Sequence, residues 1–234
     1  FVRGVPNVKK AFAKVWGTND LLTSFDGVSL WRPWNIDPSW KTQSGQAWFH
    51  IDQHPISKPG KQCIQGLINL LPTSKEIGGN VVIPKSHNFF KDLPEEYKER
   101  VERLPLDIDH FRFPHDDPKL SSEPAVMAHM EPGDMLLWDS RTIHCSSSGS
   151  SLPEGTNDLI RAASLICMMP KKLSSKEILE KRIHAAENLV STTNWTNDFR
   201  NADEFPIILE AENRDQYKWP KKPNLSDYQK ELIA

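Results

Sequence analysis

The chain has few cysteines for its 234 residues. Cys63, Cys145 and Cys167 are widely separated and form no C-x-x-C pair. This excludes a disulfide framework and provides no thiolate spacing for a closed zinc site. The set fits a reducing compartment or buried thiols, so we expect a cytoplasmic or organellar protein. The chain begins with Phe1 rather than Met, which leaves open whether the native N-terminus is present.

Long hydrophobic runs and an excess of charge of one sign are also lacking. No apolar run approaches the ~20 residues of a transmembrane helix. Lys and Arg number 29 against 31 Asp and Glu, which gives a formal charge of -2 with no basic stripe. We therefore expect neither a membrane partner nor a nucleic-acid partner.

Tryptophan and proline, by contrast, are abundant, with eight and eighteen residues. Five of the tryptophans lie in the first fifty positions, at Trp16, Trp31, Trp34, Trp40 and Trp48. Such a group packs as a core layer on the outside of a sheet or forms the aromatic wall of a pocket, and the sequence leaves both interpretations open.

Short apolar segments separated by turns predict strands, and helices are predicted at both ends of the chain. The predicted strands are 46–52, 64–71, 80–83, 125–130, 135–138 and 159–169. The predicted helices are 7–16, one from Asn19 or Asp20 towards Phe25, 94–103 and 174–188, and the predicted long loops are 104–123 and 146–157. This order favours a β-barrel or sandwich with helical supports, in a single domain. Its core barrel is expected at about 45–170, between an N-terminal helical support (1–44) and a C-terminal helix and tail (171–234).

The first chemical motif is His50-Ile51-Asp52, in a predicted strand. Side chains two residues apart on a strand point to the same face, so His50 and Asp52 would project together, about 7 Å apart along the backbone. That separation allows both to reach one metal ion. An isolated H-x-D occurs by chance in many chains, and a surface histidine beside an aspartate is the simpler interpretation.

A second histidine, His144, follows the predicted strand 135–138 and changes that judgement. Two imidazoles and one carboxylate form the facial triad of non-haem Fe(II) oxygenases, which leaves three positions open on an octahedral metal. A closed structural zinc site would instead use four protein ligands.

Arg161 is the only charged residue in the apolar segment 159–169. A buried guanidinium needs an anionic partner because desolvating an unpaired charge is costly. The partner is either an Asp or Glu of the protein or the carboxylate of a ligand, which the planar fork of arginine binds bidentately.

Together these motifs resemble the phytanoyl-CoA dioxygenase family, within the Fe(II)- and 2-oxoglutarate-dependent oxygenases. The resemblance covers roughly Leu21 to Met169, about two thirds of the chain. Four stretches carry it: LLTSFDGV at 21–28, HID at 50–52, GGNVVIPKSH at 78–87 and GDMLLWDSRTIH at 133–144.

The resemblance implies a mainly β fold with flanking helices, the double-stranded β-helix or jelly-roll (cupin-like) barrel. It implies Fe(II) bound by His50, Asp52 and His144, with 2-oxoglutarate chelating the iron, O2 as oxidant and Arg161 binding the far carboxylate. Ser146 matches a position that contacts the cosubstrate. On the strand 64–71 the candidates for that role are Gln65 and Asn69, and which of them faces inward stays open.

The separation of His144 and Arg161 departs from the family pattern. It is 161 - 144 = 17 residues, several more than the family leads us to expect. We assign the excess to the predicted loop 146–157, which can bulge without moving either strand.

The implied activity is hydroxylation of a small organic substrate with release of succinate and CO2. Relatives that halogenate have a small residue in place of Asp52, so its carboxylate favours hydroxylation. Two alternatives stay open: a catalytically silent metal-binding or scaffold module on the same barrel, and a cupin-type enzyme that uses another metal.

The remaining histidines are not predicted to be metal ligands. His87 is expected to be structural or to support the site from behind, since a fourth ligand would occupy a position that the reaction needs. The others are expected at the surface, in loops or in the core: His54, His110, His115, His129 and His184.

Overall fold

The computed structural model describes residues 2–41, 48–198 and 222–234. Its chain divides into two compact units. We call Val28–Ser164 the core unit, and the pair Phe1–Gly27 and Leu165–Ala234 the terminal unit. The expectation of one oxygenase domain stays a prediction.

Antiparallel strands dominate the described residues. In chain order the strands are β1 (Leu21–Thr23), β2 (Val28–Trp31), β3 (His50–Asp52), β4 (Ile64–Asn69), β5 (Gly78–Val82), β6 (His110–Arg112), β7 (Val126–Met127), β8 (Met135–Asp139), β9 (His144–Ser148) and β10 (Arg161–Pro170). The α-helices are α1 (Pro6–Trp16), α2 (Leu93–Glu96), α3 (Lys98–Glu102), α4 (Lys176–Asn188) and α5 (Asp227–Glu231). The predicted jelly-roll class, mainly β with flanking helices, is confirmed.

Two antiparallel sheets build the core unit. One has the strand order β6-β3-β9-β5-β7. In the other, β4 pairs with β8, and β2 pairs with the first four residues of β10. The outward side of the first sheet is covered by apolar side chains: Ile51 from β3, Phe111 from β6 and Cys145 from β9 pack with residues of α2 and α3. The opposite side chains of these strands are therefore free to face the second sheet.

Backbone approach is close where β5 joins β9. Gly78 has φ of 98°, and a Cβ on it would lie 2.2 Å from the carbonyl oxygen of Ser147. Only glycine accommodates both the positive φ and this approach. The strand therefore begins at Gly78, two residues before the predicted start at Asn80.

The terminal unit contains α1, α4, α5 and β1, and β1 pairs with the last three residues of β10. Arg182 on α4 is buried there, and its guanidinium donates to the carbonyl oxygens of Thr23 (2.6 Å) and Ile233 (2.7 Å). These bonds fix the helix to β1 and to the end of the chain.

Several segments differ from the prediction. The predicted strand 125–130 is shortened to β7, and the predicted helix 94–103 is divided into α2 and α3. The helix expected from Asn19 or Asp20 towards Phe25 is wrong, because Leu21–Thr23 is strand β1. The long loop 104–123 contains strand β6, and the loop 146–157 begins later than predicted because β9 extends to Ser148. Residues 46 and 47 of the predicted strand 46–52 lie outside the described residues.

Candidate metal centre

The centre lies where β3, β6 and β9 run side by side in the core unit. His50 on β3 is opposite His144 on β9, and Asp52 on β3 is opposite His110 on β6. Opposed residues of antiparallel strands place their side chains on the same face. One carboxylate and three imidazoles are thus brought together from three strands that are distant in sequence.

Asp52 is at the middle of this group. Its Oδ1 lies 3.5 Å from Nε2 of His50, and its Oδ2 lies 3.3 Å from Nε2 of His144. Nδ1 of His110 is 3.4 Å from Oδ1. The imidazole rings of His144 and His110 both have centroids 4.4 Å from that of His50.

The tautomers of two histidines follow from their backbone partners. Nδ1 of His50 lies 3.0 Å from the carbonyl oxygen of Trp48, and Nδ1 of His144 lies 2.9 Å from that of Thr142. A carbonyl oxygen only accepts, so Nδ1 carries the proton in both rings and Nε2 keeps its lone pair. Both Nε2 atoms are directed towards Asp52, and such outer partners orient histidine ligands in metal sites.

Either His110 or His144 could be the third metal ligand beside His50 and Asp52. The ligand atoms of His50, Asp52 and His110 all lie within 4.8 Å of one another, a grouping identified among the described residues. His110, however, is exposed and contacts Asp52 through Nδ1, whereas His144 is buried and carries the same backbone-fixed tautomer as His50. These differences favour His144 over His110 as the third member of the set, with His110 at the rim.

Charge and burial act in opposite directions on the two central groups. Burial alone would raise the pKa of Asp52, but the facing imidazoles of His50, His110 and His144 hold it well below its usual range. Burial lowers the pKa of His50, and its attraction to Asp52 opposes that change only in part. Both shifts favour the forms that bind a divalent metal ion, an ionised Asp52 carboxylate and a neutral His50 imidazole.

Gln65 on β4 reaches the centre from the second sheet. Its Nε2 donates a 2.8 Å hydrogen bond to Oδ2 of Asp52. The buried Oε1 of Gln65 has no hydrogen-bond partner among the described residues. Trp138, opposite Gln65 on β8, has its ring centroid 5.3 Å from that of His144.

Asn69 lies four residues beyond Gln65 on β4, on the same face of the strand. Both side chains are buried, so the strand does not choose between them. The Nδ2 of Asn69 donates to Oγ1 of Thr73 at 3.2 Å, and its Oδ1 is buried without a hydrogen-bond partner among the described residues.

Arg161 begins β10 and is 2 % exposed. The amide of Leu70 donates to the carbonyl oxygen of Ala162, so these two residues share one face of the sheet. Arg161 directly precedes Ala162, and Asn69 directly precedes Leu70, so their side chains lie on the opposite face of the sheet. Gln65 contacts Asp52 from that same face.

The guanidinium of Arg161 has no carboxylate partner among the described residues. Its Nε and Nη1 are buried without hydrogen bonds to the described residues, and its guanidinium carbon lies 4.4 Å from the ring centroid of Trp31. Burial lowers the pKa of Arg161 to about 10, so the group is still charged at neutral pH. A buried cation with unused donors fits the carboxylate of a ligand.

Ser146 lies on β9 two residues beyond His144 and therefore on the same face. It is opposite Asn80 of β5, whose buried Oδ1 has no hydrogen-bond partner among the described residues. Trp48 donates through Nε1 to the Ser146 carbonyl oxygen at 3.1 Å, and its ring stacks on His50 at 4.4 Å. Trp48 therefore forms an aromatic wall of the centre, one of the two roles open from the sequence.

The other histidines lie away from the ligand set. His54 is buried, and its Nδ1 accepts hydrogen bonds from the amides of Ile56 and Ser57, which is a structural role in a turn. His87 is partly buried, and the remaining three, His115, His129 and His184, are exposed. Sequence reasoning missed the contact of His110 with Asp52.

The sequence profile of the family described as "Phytanoyl-CoA dioxygenase (PhyH)" matches residues 15–152, more than half of the chain. A curated relative, "Ava biosynthesis cluster protein O" from Aspergillus versicolor, is 33% identical over 199 residues, which cover 82% of this chain and 60% of that protein. A "Putative phytanoyl-CoA dioxygenase" from Dictyostelium discoideum is 22% identical over 225 residues, with 83% and 60% covered. This chain belongs to the phytanoyl-CoA dioxygenase family, as its motifs predict.

The chain spans about 60% of the length of the curated relatives it matches. Among solved structures, EvdMO1 is similar with a TM-score of 0.45 and 18% identity, over 71% of this chain and 31% of that one. SnoN, the "non-heme alpha ketoglutarate dependent epimerase" from nogalamycin biosynthesis, gives a TM-score of 0.43 and 15% identity, with 72% and 54% covered.

In the part of the chain that the structure describes, no helix is long and apolar enough to cross a membrane.

Proposed function

We propose that this protein is an Fe(II)- and 2-oxoglutarate-dependent dioxygenase that hydroxylates a small organic substrate, with release of succinate and CO2. The main support is the position of His50, Asp52 and His144, whose side chains lie together on one face of a sheet in the core unit. Membership of the phytanoyl-CoA dioxygenase family supports the same reaction class.

In this proposal the ligands of iron are Nε2 of His50, Nε2 of His144 and the Asp52 carboxylate. Backbone carbonyls hold both imidazoles in the tautomer that leaves Nε2 free, so no rearrangement is needed before metal binding. Gln65 holds one carboxylate oxygen of Asp52, which favours coordination through the other. When bound, iron with 2-oxoglutarate and O2 supplies the oxidising chemistry, and the cosubstrate is decarboxylated to succinate.

Arg161 is the proposed partner of the far carboxylate of 2-oxoglutarate. Its unsatisfied donors are enclosed, and a dianionic ligand would neutralise a buried cation that has no carboxylate partner in the described part of the chain. Ser146 and Asn69 share the faces of His144 and Arg161 respectively, and we assign them to secondary contacts with the cosubstrate. Burial of this side of the centre also excludes water from it.

Turnover of 2-oxoglutarate tests the proposal. Purified protein with Fe(II), O2 and 2-oxoglutarate is expected to form succinate slowly without added substrate, and His144→Ala is expected to lose iron binding and succinate formation together. A substrate screen with product analysis then tests hydroxylation, which adds one oxygen atom to the substrate. Folded protein that binds iron but forms no succinate with any substrate class would identify a silent module instead.

A further inference from the structure

We propose that the exposed side of the metal centre recognises a substrate with an anionic oxygen group, a carboxylate or a phosphate, and that Arg112 binds it. This inference rests on the proposed function. It concerns β6, the edge strand beside β3, which the cosubstrate assignment does not use.

The direction of the Arg112 side chain follows from two observations on β6. Arg112 is opposite His50, and His110 is opposite Asp52. The contact of His110 with Asp52 shows that this face of β6 looks onto the centre. Arg112 is two residues further along the strand and therefore points to the same face, beside His50.

Arg112 carries a charge that no carboxylate of the described residues neutralises. Both His110 and Arg112 are exposed, whereas Phe111 between them is buried in the apolar layer behind the sheet. Among the described residues no carboxylate lies within ion-pair distance of Arg112. The nearby acid in sequence, Asp109, is held by Lys58 at 2.8 Å.

The two sides of the centre thus differ in a way that suits two ligands. Arg161 is enclosed and lies on the β10 strand of the second sheet, while Arg112 is exposed on the edge strand β6 of the first sheet. A guanidinium at an open edge recognises carboxylates and phosphates through its planar fork. Such an anion would hold the rest of the substrate across the face of His50 and Trp48.

Calorimetric titration tests this under anaerobic conditions, with protein saturated by Fe(II) and 2-oxoglutarate so that the Arg161 side is filled. The probes are two matched pairs, phenylacetate with phenylacetamide and benzyl phosphate with benzyl alcohol. We expect saturable binding of at least one anion and weaker or no binding of its neutral counterpart. The pair that responds distinguishes a carboxylate from a phosphate substrate.

The variants are Arg112→Gln, Arg112→Lys and the control Arg103→Gln, which removes a charge from an exposed position directly after α3. Arg112→Gln should lower the affinity for the anionic probe about tenfold or more and leave the affinity for the neutral probe unchanged. Arg112→Lys should retain part of the preference for the anion. The control should bind both probes as the parent does. Absence of anion binding, equal binding of the neutral partner, or an unaffected Arg112→Gln would overturn the inference.

The two hypotheses fail separately. If the parent protein binds Fe(II) and 2-oxoglutarate but shows no preference for anions, the inference on Arg112 is wrong and the proposed function stands. If the parent protein does not bind 2-oxoglutarate with iron, the proposed function itself fails.

Discussion

Gln65 donates a 2.8 Å hydrogen bond to Oδ2 of Asp52, which joins the two sheets of the core unit at the proposed iron ligand. The contact fixes the rotation of the carboxylate, since Oδ1 is then the oxygen that faces His50 and His110. Gln65, one of the two candidates that the sequence offers for the cosubstrate contact, thus contacts a proposed metal ligand.

Replacement of Gln65 by leucine should lower metal affinity about 10- to 100-fold, the usual loss when an outer hydrogen-bond partner of a ligand is removed. Competition with a chromogenic chelator, using Ni(II) in place of iron, measures it. Gln62→Leu, at a partly exposed side chain with a bond to the Pro59 carbonyl, is the matched control. Unchanged affinity in Gln65→Leu would show that Asp52 does not need this contact.

Alanine substitutions at His144 and His110 should separate the ligand from the rim residue. We expect His144→Ala to reduce metal affinity by more than about 100-fold, because a ligand is lost, and His110→Ala to reduce it by less than about tenfold. The same chelator competition applies to both variants, with circular dichroism to check that each is folded. The reverse order of effects would assign the third position to His110.

Arg161→Met tests whether the buried guanidinium awaits a ligand. Without 2-oxoglutarate the variant should be as stable as the parent or more so, because it removes a buried charge for which residues 2–41, 48–198 and 222–234 provide no carboxylate partner. In the presence of Ni(II), 2-oxoglutarate should raise the midpoint temperature of thermal unfolding of the parent protein but not of the variant. A ligand stabilises a protein only if it binds the folded state.

A large loss of stability in Arg161→Met without 2-oxoglutarate would contradict this account and indicate an internal ion-pair role. The affinity of Arg161→Gln for 2-oxoglutarate should fall at least about 30-fold, as expected when one partner of a buried charge pair is removed. Arg103→Met, at an exposed position directly after α3, serves as the control for loss of an arginine.

The metal-free protein should lose stability as the pH falls through about 6.5, which is the ordinary pKa of a histidine side chain. The folded pKa of His50 is lowered, so the unfolded chain binds more protons between that folded pKa and 6.5, and stability rises with pH across this window. Chemical unfolding of the parent and His50→Gln between pH 5 and 7.5 measures the slope. His50→Gln should have a smaller slope, and the exposed His115→Gln should keep that of the parent.

Much of the centre could be predicted because the relevant pattern is local. His50 and Asp52 are two residues apart on a strand, and Arg161 is a single charge in an apolar run. Both features can therefore be identified in the sequence without knowledge of the fold. The helix α1 also begins and ends within one residue of its prediction, since its apolar spacing and Gly17 are local signals.

The parts that were missed depend on contacts between distant residues. Leu21–Thr23 is a strand because it pairs with residues 168–170, and His110–Arg112 is a strand because it pairs with 50–52. The segment around β6 is rich in charge and proline and has no alternation long enough to predict a strand. The serine-rich β9 has the same difficulty, although it is the strand that places His144 opposite His50.

In the proposed function, His50, Asp52 and His144 hold an iron ion that 2-oxoglutarate also binds. Anaerobic titration of the protein with Fe(II) and then 2-oxoglutarate, followed by visible absorption, tests it most directly. We predict a weak charge-transfer band that requires both additions and is absent from His144→Ala. Correctly folded protein that gives no band with saturating Fe(II) and 2-oxoglutarate would contradict the account.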